Sequence, residues 1–402
     1  MINFVINPFN DTKVQLSSTA VKYIIQLGNM KMKSFMPPKR TLMGPGPSDV
    51  SPRVLEAMGR PTIGHLDPAF QTLMDEIKEL LRYAFKTENK LTFPVSAPGS
   101  AGMETCFANL VEKGDKVVVC VNGVFGTRMV ENVTRCGGEA IVINDEWGTP
   151  VSLSKTEDAL KNNPDAKIIA FVGAETSTGV ASDAIALCAL AQKYNCLTIV
   201  DAVTSLGGSE LDVDGWGIDA IYSGSQKCLS CPPGISPVSF NERAIEKIKN
   251  RETPVQSWFL DLNLVMGYWD GTGGRSYHHT APVNAMYALH ESLLILKEEG
   301  LENSWKRHSD MSAKLRAGFK EMGIEYLVDE DCALPQLNTI KIPAHITDEA
   351  AIRTRLLSEH NLEIGAGLGA LAGKVWRVGL MGHSAYQENV DQCLKAFKAV
   401  MN

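Results

Sequence analysis

From Thr41 onward, short apolar runs alternate with stretches whose apolar residues recur every three or four positions. The runs Val117 to Val121 and Ala140 to Ile143 predict buried strands separated by a helix, and Lys167 to Val172, Leu197 to Val200, Asp219 to Tyr222 and Ile235 to Phe240 predict further strands. Asp67-Pro68 predicts a helix start, an acid at the N-cap with proline at the first helical position. Phe70, Leu73, Ile77, Leu80, Leu81 and Ala84 then fall on one helical face. Ser154-Lys-Thr-Glu157 has the spacing of a capping box for the next helix. Alternating strands and helices imply an α/β sheet with crossover helices. After Pro282 the pattern is helical through Ala285 to Leu301, with no strong strand until Asn338 to Ile342. Strands near Leu362 and at Lys374 to Val378 and a helix from Gln387 complete a smaller α/β unit. The expected organisation is an N-terminal extension over residues 1–40, a large domain over 41–300 and a small C-terminal domain over 301–402.

At 402 residues the chain is long enough for two domains, and 44% hydrophobic with 21% charged residues is an ordinary globular balance. A net charge of −7 argues against a nucleic-acid partner, whose phosphates call for basic surface. No apolar run approaches the ~20 residues that span a bilayer. Nine cysteines scattered without framework spacing suit reduced thiols and a cytoplasmic setting. Up to Ser48 the only acid is Asp11, against five lysines and Arg40. That bias is lysine-based rather than arginine-rich, so a poorly ordered or overcalled extension is the preferred reading of the segment and an organelle-targeting peptide the alternative. The ending Val400-Met-Asn402 lacks a peroxisomal tripeptide.

The chemistry gathers where predicted strands end. Asp219-Ala-Ile-Tyr-Ser-Gly-Ser-Gln-Lys227 is an apolar strand breaking into small residues that deliver one amine, and Leu197-Thr-Ile-Val-Asp201 delivers an acid. A lysine that forms a Schiff base and an acid that keeps a pyridine nitrogen protonated are what a pyridoxal phosphate site requires. Asp201 also suits a plain helix N-cap. Ser96-Ala-Pro-Gly99-Ser100-Ala101-Gly102 leads into a helical pattern and suits a phosphate on backbone amides, although such turns are common. Gly173-Ala-Glu-Thr176-Ser177-Thr178-Gly179 is another hydroxyl-rich strand end. Phe125 suits either ring stacking or a core plug. Arg377, inside an apolar strand, suits either a substrate carboxylate or a structural ion pair. In Tyr277-His-His-Thr280 the adjacent histidines are expected on opposite faces of an extended segment, and no metal is assigned. Cys228-Leu-Ser-Cys231 has no second pair and no redox context.

With Ser223-Gly-Ser-Gln-Lys227, Asp201-Ala-Val-Thr-Ser-Leu-Gly-Gly and Met43-Gly-Pro-Gly-Pro-Ser48, the chain resembles class V pyridoxal-phosphate aminotransferases of the alanine–glyoxylate and serine–glyoxylate (serine–pyruvate) group. Tyr277-His-His-Thr280-Ala-Pro, Glu299-Gly-Leu-Glu-Asn-Ser-Trp305 and Gly373-Lys-Val-Trp-Arg377-Val-Gly add to the likeness, which runs from about Thr41 to the end. The resemblance implies fold type I, a large domain with a mostly parallel seven-stranded sheet and a smaller C-terminal α/β domain. It makes Lys227 the Schiff-base lysine and Asp201 the pyridinium partner, with Phe125 and Val203 on opposite ring faces and Thr176 at the ring hydroxyl. Gly99, Ser100, Ala101 and Gln226 would hold the phosphate, joined by Tyr277 and Thr280 from a neighbouring subunit of a homodimer. Arg377 would bind the substrate carboxylate and Gly46 would line the substrate mouth. Ser100 and Phe125 stand where animal members carry histidine and tryptophan.

The implied reaction is ping-pong transamination from alanine or serine to glyoxylate or pyruvate. Other class V aminotransferases, acting on pyridoxamine, ureidoglycine or aminoethylphosphonate, are the alternative. A cysteine desulfurase would need a nucleophilic cysteine before the arginine strand, and Gly365 to Arg377 contains none. A non-catalytic binding protein on the same fold would be expected to have lost Lys227 or Asp201.

Overall fold

The computed structural model describes residues 33–269 and 275–401. Most of the expected N-terminal extension lies outside them. Arg40 to Asn402 form one compact unit. Its centre is a seven-stranded sheet of β1 (Leu91–Val95), β2 (Lys116–Val121), β3 (Glu139–Asn144), β4 (Ile168–Val172), β5 (Leu197–Asp201), β6 (Ala220–Tyr222) and β7 (Ser236–Phe240). The spatial order is β1-β7-β6-β5-β4-β2-β3, with β7 the one antiparallel strand. Central strands such as Ile168-Ile-Ala-Phe-Val172 are buried along their whole length, which is why they read as unbroken apolar runs.

Ala140 to Ile143 does not follow the expectation of a buried strand. Strand β3 pairs only with β2, so it is an edge, and Val142 is 42% exposed while Ile143 is buried. The expected capping box is also displaced. The helix Leu153–Asn162 is capped by Ser152, whose hydroxyl accepts the Lys155 amide, and Glu157 turns outward to Lys161 and Lys193. The helix start at Asp67-Pro68 stands as expected. Asp67 accepts the Ala69 amide at 2.8 Å, and α1 (Pro68–Phe85) buries Phe70, Ile77, Leu80, Leu81 and Ala84.

The two large hydrophobic cores among the described residues lie around the large sheet and around a three-stranded antiparallel sheet. The second sheet has β8 (Leu337–Lys341), β9 (Gly365–Ala366) and β10 (Val375–Gly379), in the order β8-β10-β9. Trp376, Phe319 and Phe397 are fully buried in the second core, the two phenylalanine rings meeting edge to face at 4.9 Å. Thr41–Leu42 pairs in parallel with Leu362–Glu363, and Met43 is buried in the second core. This stitching carries the following Gly44 to Ser48 turn to the carboxyl end of the large sheet. Among the described residues no helix is long and apolar enough to cross a membrane.

The helix α2 (Gly99–Leu110) follows β1, and α3 (Val124–Arg135) follows β2. Gly126 lets α3 lie directly on the strand before it. A Cβ there would stand 2.8 Å from the Cys120 carbonyl oxygen and 3.0 Å from Val121 Cα, both backbone atoms. Gly126→Ala is therefore expected to lower stability by about 1–3 kcal/mol through overpacking. An unchanged denaturant midpoint would refute that tight contact.

Candidate active site

The site lies at the carboxyl ends of the parallel strands, where open α/β sheets leave a crevice. After β6 the chain turns through Ser223 to Lys227, each hydroxyl fixing one backbone group. Ser223 Oγ donates to the Ala202 carbonyl at 3.0 Å and Ser225 Oγ to the Pro232 carbonyl at 2.7 Å. Ser48 Oγ donates to the Lys227 carbonyl at 2.7 Å. The amine of Lys227, 8% exposed as a residue, donates to the Pro45 carbonyl. The backbone of Gly46 covers it so closely that a Cβ there would stand 2.5 Å from Nζ. Burial first, and then the Arg377 cation, lowers the amine to about 8.

Asp201 ends β5 and pairs in register with Tyr222 of β6. Its Oδ1 accepts the Val203 amide and its Oδ2 the Tyr222 hydroxyl, each at 2.8 Å. No α-helix starts at Asp201, and the next one, Val213–Trp216, is capped by Asp212, so the plain N-cap reading falls. Asp201 is raised to about 7, chiefly by burial against the pull of those two hydrogen bonds, with Glu175 adding to the rise.

Helix α2 starts at Gly99 behind Pro98, which supplies no side-chain cap. Gly99 is buried against the turn, its Cβ position 3.5 Å from the Ser223 carbonyl oxygen and 3.6 Å from Val203 Cγ2. Ser100 is exposed and Ala101 half-buried. Gln226 Oε1 is buried with no hydrogen-bond partner among the described residues.

Thr176 is buried. Its hydroxyl accepts the Thr204 hydroxyl at 3.4 Å, and its carbonyl accepts Arg377 Nη1 at 3.1 Å. Arg377 Nε donates to the Ala366 carbonyl at 2.8 Å. The alternative of a structural ion pair for Arg377 does not hold, because among the described residues no carboxylate lies within ion-pair distance of it. Burial lowers the guanidinium to about 10, partly offset by the Glu175 charge. Phe125, in the first turn of α3, is half-buried with the Arg128 guanidinium 4.9 Å from its ring centre. Tyr277 and Thr280 are exposed.

The two histidines beside Tyr277 depart from expectation. Their Nδ1 atoms face each other at 2.8 Å with the rings perpendicular, because the segment bends instead of running extended. His279 Nε2 meets Ser96 Oγ at 2.7 Å, and His278 stacks on Trp258 at 4.4 Å. Cys228 and Cys231 are both pushed up to about 12 by burial, so neither supplies a thiolate at neutral pH.

Two buried groups escaped the sequence reading. Tyr222 is the register partner of Asp201, a position that pairing β5 with β6 would have exposed. Glu175, fully buried, sits between Gly173 and Thr176 and was passed over among the hydroxyls. Burial raises its carboxyl above the usual range.

These residues fit pyridoxal phosphate. A buried carboxylate with acceptor capacity to spare suits a pyridinium N–H. The Gly99 and Ser100 amides at the start of α2 suit a phosphate, and Lys227 supplies a buried amine. The fold and these groups together suit a pyridoxal-phosphate-dependent enzyme. The aminotransferase class-V family profile matches residues 44–392. The chain is 38% identical over 399 residues to the alanine–glyoxylate aminotransferase of Rattus norvegicus, covering 96% of each. It is 37% identical to the (S)-ureidoglycine–glyoxylate transaminase of Bacillus subtilis, covering 90% of this chain and 91% of that one. The crystal structure of an alanine–glyoxylate aminotransferase from Nostoc sp. superposes with a TM-score of 0.91 at 46% identity, covering 93% of this chain and 98% of that one. The chain belongs to the class V aminotransferases.

The Asp201 environment sets a pH dependence. Folded Asp201 keeps its proton to about pH 7, whereas an unfolded aspartate releases it near ~4. Its contribution to the stability of the cofactor-free protein is thus greatest below about pH 4 and declines as pH rises to about 7, by a few kcal/mol at most. The stability difference between wild type and Asp201→Asn, followed by denaturation from pH 4 to 8, should show that decline. A flat difference would contradict it.

Proposed function

We propose that the protein transfers the amino group of a small amino acid, alanine or serine, to glyoxylate or pyruvate by ping-pong transamination. The observation that carries the reading is Arg377, a buried guanidinium without a carboxylate partner among the described residues, whose charge bears on the buried amine of Lys227. A monocarboxylate substrate supplies the missing anion through a charge-assisted, bidentate contact. The relatives named for alanine and glyoxylate support the same substrate class.

Pyridoxal phosphate, when bound, supplies a carbonyl carbon for the amino group and a ring that withdraws electrons from the substrate Cα. In this reading Lys227 would carry the cofactor between turnovers and, released as a neutral amine, would take the proton from Cα and return it two atoms further on, past the nitrogen, a 1,3-proton shift. With Nζ lowered to about 8, roughly a quarter of such amines are neutral at pH 7.5, against about one in a thousand at the ordinary lysine value. Asp201 would hold the proton at the ring nitrogen. Phe125 and Val203 would pack on the two ring faces, and Thr176 would hydrogen-bond the ring hydroxyl. Gly99, Ser100, Ala101 and Gln226 would hold the phosphate. Gly46, pressed on Lys227, keeps the mouth narrow and so favours short side chains.

The exposure of Tyr277 and Thr280 supports their reaching the phosphate site of a neighbouring subunit in a homodimer. The two cores support a large domain to about residue 300 and a small one beyond, and the buried, unpaired thiols suit a cytoplasmic setting. The Bacillus subtilis relative makes ureidoglycine the competing donor.

Absorbance of the yellow holoenzyme, scanned with L-alanine, L-serine, L-glutamate and (S)-ureidoglycine in turn, tests the reading. Bleaching by alanine or serine is expected; bleaching by ureidoglycine alone would replace the donor. Lys227→Ala should abolish turnover, and wild-type rates in that variant would sink the assignment. Arg377→Ala should lower kcat/KM by roughly a hundredfold or more, since losing a buried charge-assisted contact costs about 2–5 kcal/mol. An unchanged value would place the carboxylate elsewhere.

A further inference from the structure

The first three amides of α3 belong to Val124, Phe125 and Gly126, and the helix has no capping side chain of its own, its N-cap being Gly123. Helix starts leave such amides unsatisfied unless something outside the helix accepts them. Here the acceptors come from another strand end. Ser177 Oγ accepts the Val124 amide at 2.9 Å, and Glu175 Oε2 accepts the Phe125 amide at 3.1 Å. Glu175 Oε1 accepts both the Ser177 hydroxyl at 2.6 Å and the Ser177 amide at 2.9 Å. Gly123 makes room for this approach, since a Cβ there would overlap Glu175 and Ser177.

The same short strand end holds two other groups of the site. Between Glu175 and Ser177 stands Thr176, whose carbonyl anchors Arg377. One buried carboxylate therefore ties the backbone under Phe125 to the backbone that carries Thr176 and Arg377. Its remaining oxygen capacity is taken by donors, so it is spent on holding geometry rather than on substrate.

We propose that Glu175 is a positioning residue, which caps α3 from outside the helix and thereby fixes Phe125 and the Thr176–Arg377 pair relative to one another. This rests on the reading that Phe125 packs on the cofactor ring and Arg377 binds the carboxylate. Glu175→Gln keeps the size but brings an NH2 group against amide donors that need an acceptor. Ser177→Ala removes the Val124 acceptor and one donor to Glu175, and serves should Glu175→Gln fail to fold.

The test has two arms. On the cofactor-free protein, hydrogen exchange of the peptide spanning residues 122–130 should quicken at least tenfold in either variant, with exchange in β8 unchanged. On the reconstituted protein, the visible circular dichroism of the cofactor band should change in sign or intensity, and KM for the keto acid should rise more than tenfold. Conservative Ser177→Thr should restore both. Unchanged exchange would overturn the cap. Faster exchange with unaltered dichroism and KM would leave the cap purely structural and overturn the positioning role. If wild type itself lacks a dichroic cofactor band, or Arg377→Ala leaves KM unmoved, the underlying reading fails instead, whatever the exchange arm gives.

Discussion

Desolvation of charge governs this molecule more than any single contact does. Asp201, Lys227 and Arg377 are buried together at one end of the sheet, and each is driven toward its neutral form, to about 7, 8 and 10 respectively. A buried ionisable group shifts in that direction when its surroundings fail to replace water. Each shift marks a charge the protein leaves for a guest to balance. In the proposed reading a protonated ring nitrogen would meet Asp201, a carbonyl carbon the amine, and a carboxylate the guanidinium. The fold spends its hydrogen bonds on orienting these groups, through Tyr222 and Val203 for Asp201 and two backbone carbonyls for Arg377.

The orientation comes from how the sheet is built. Parallel strands end together, so residues far apart in sequence reach one crevice without long loops. Asp201 and Tyr222 meet because β5 and β6 lie side by side in register. The second core contributes from the other side. Its strand β10 brings Arg377, and its pairing with Thr41–Leu42 holds the turn that closes over Lys227.

Much of this was legible in the sequence, for identifiable reasons. Buried parallel strands have near-continuous apolar runs, and Asp67-Pro68 carries its own capping chemistry, so both could be read locally. Lys227, Asp201 and Arg377 stood out as charged residues inside or at the ends of apolar runs. What failed depended on neighbours. Val142 and Ile143 look alike in sequence, and only the place of β3 at the sheet edge exposes one and buries the other. Ser152 and Ser154 are chemically equivalent caps, and the actual helix start chose between them. The perpendicular imidazoles of His278 and His279, meeting Nδ1 to Nδ1, follow from a bend that no periodicity encodes. Glu175 was invisible as a helix cap because the helix it serves lies fifty residues earlier in the chain.

That displaced cap has a bearing on anion choice. Helices α2 and α3 both point their positive ends toward the same crevice, and either would attract a phosphate. At α3 the place is already taken by a carboxylate that cannot diffuse away, while at α2 the first amides are free of any side-chain acceptor. The chain thus carries a tethered competitor that silences one of two similar electrostatic sinks. In the proposed reading a cofactor's dianionic tail would meet one open helix start there rather than two.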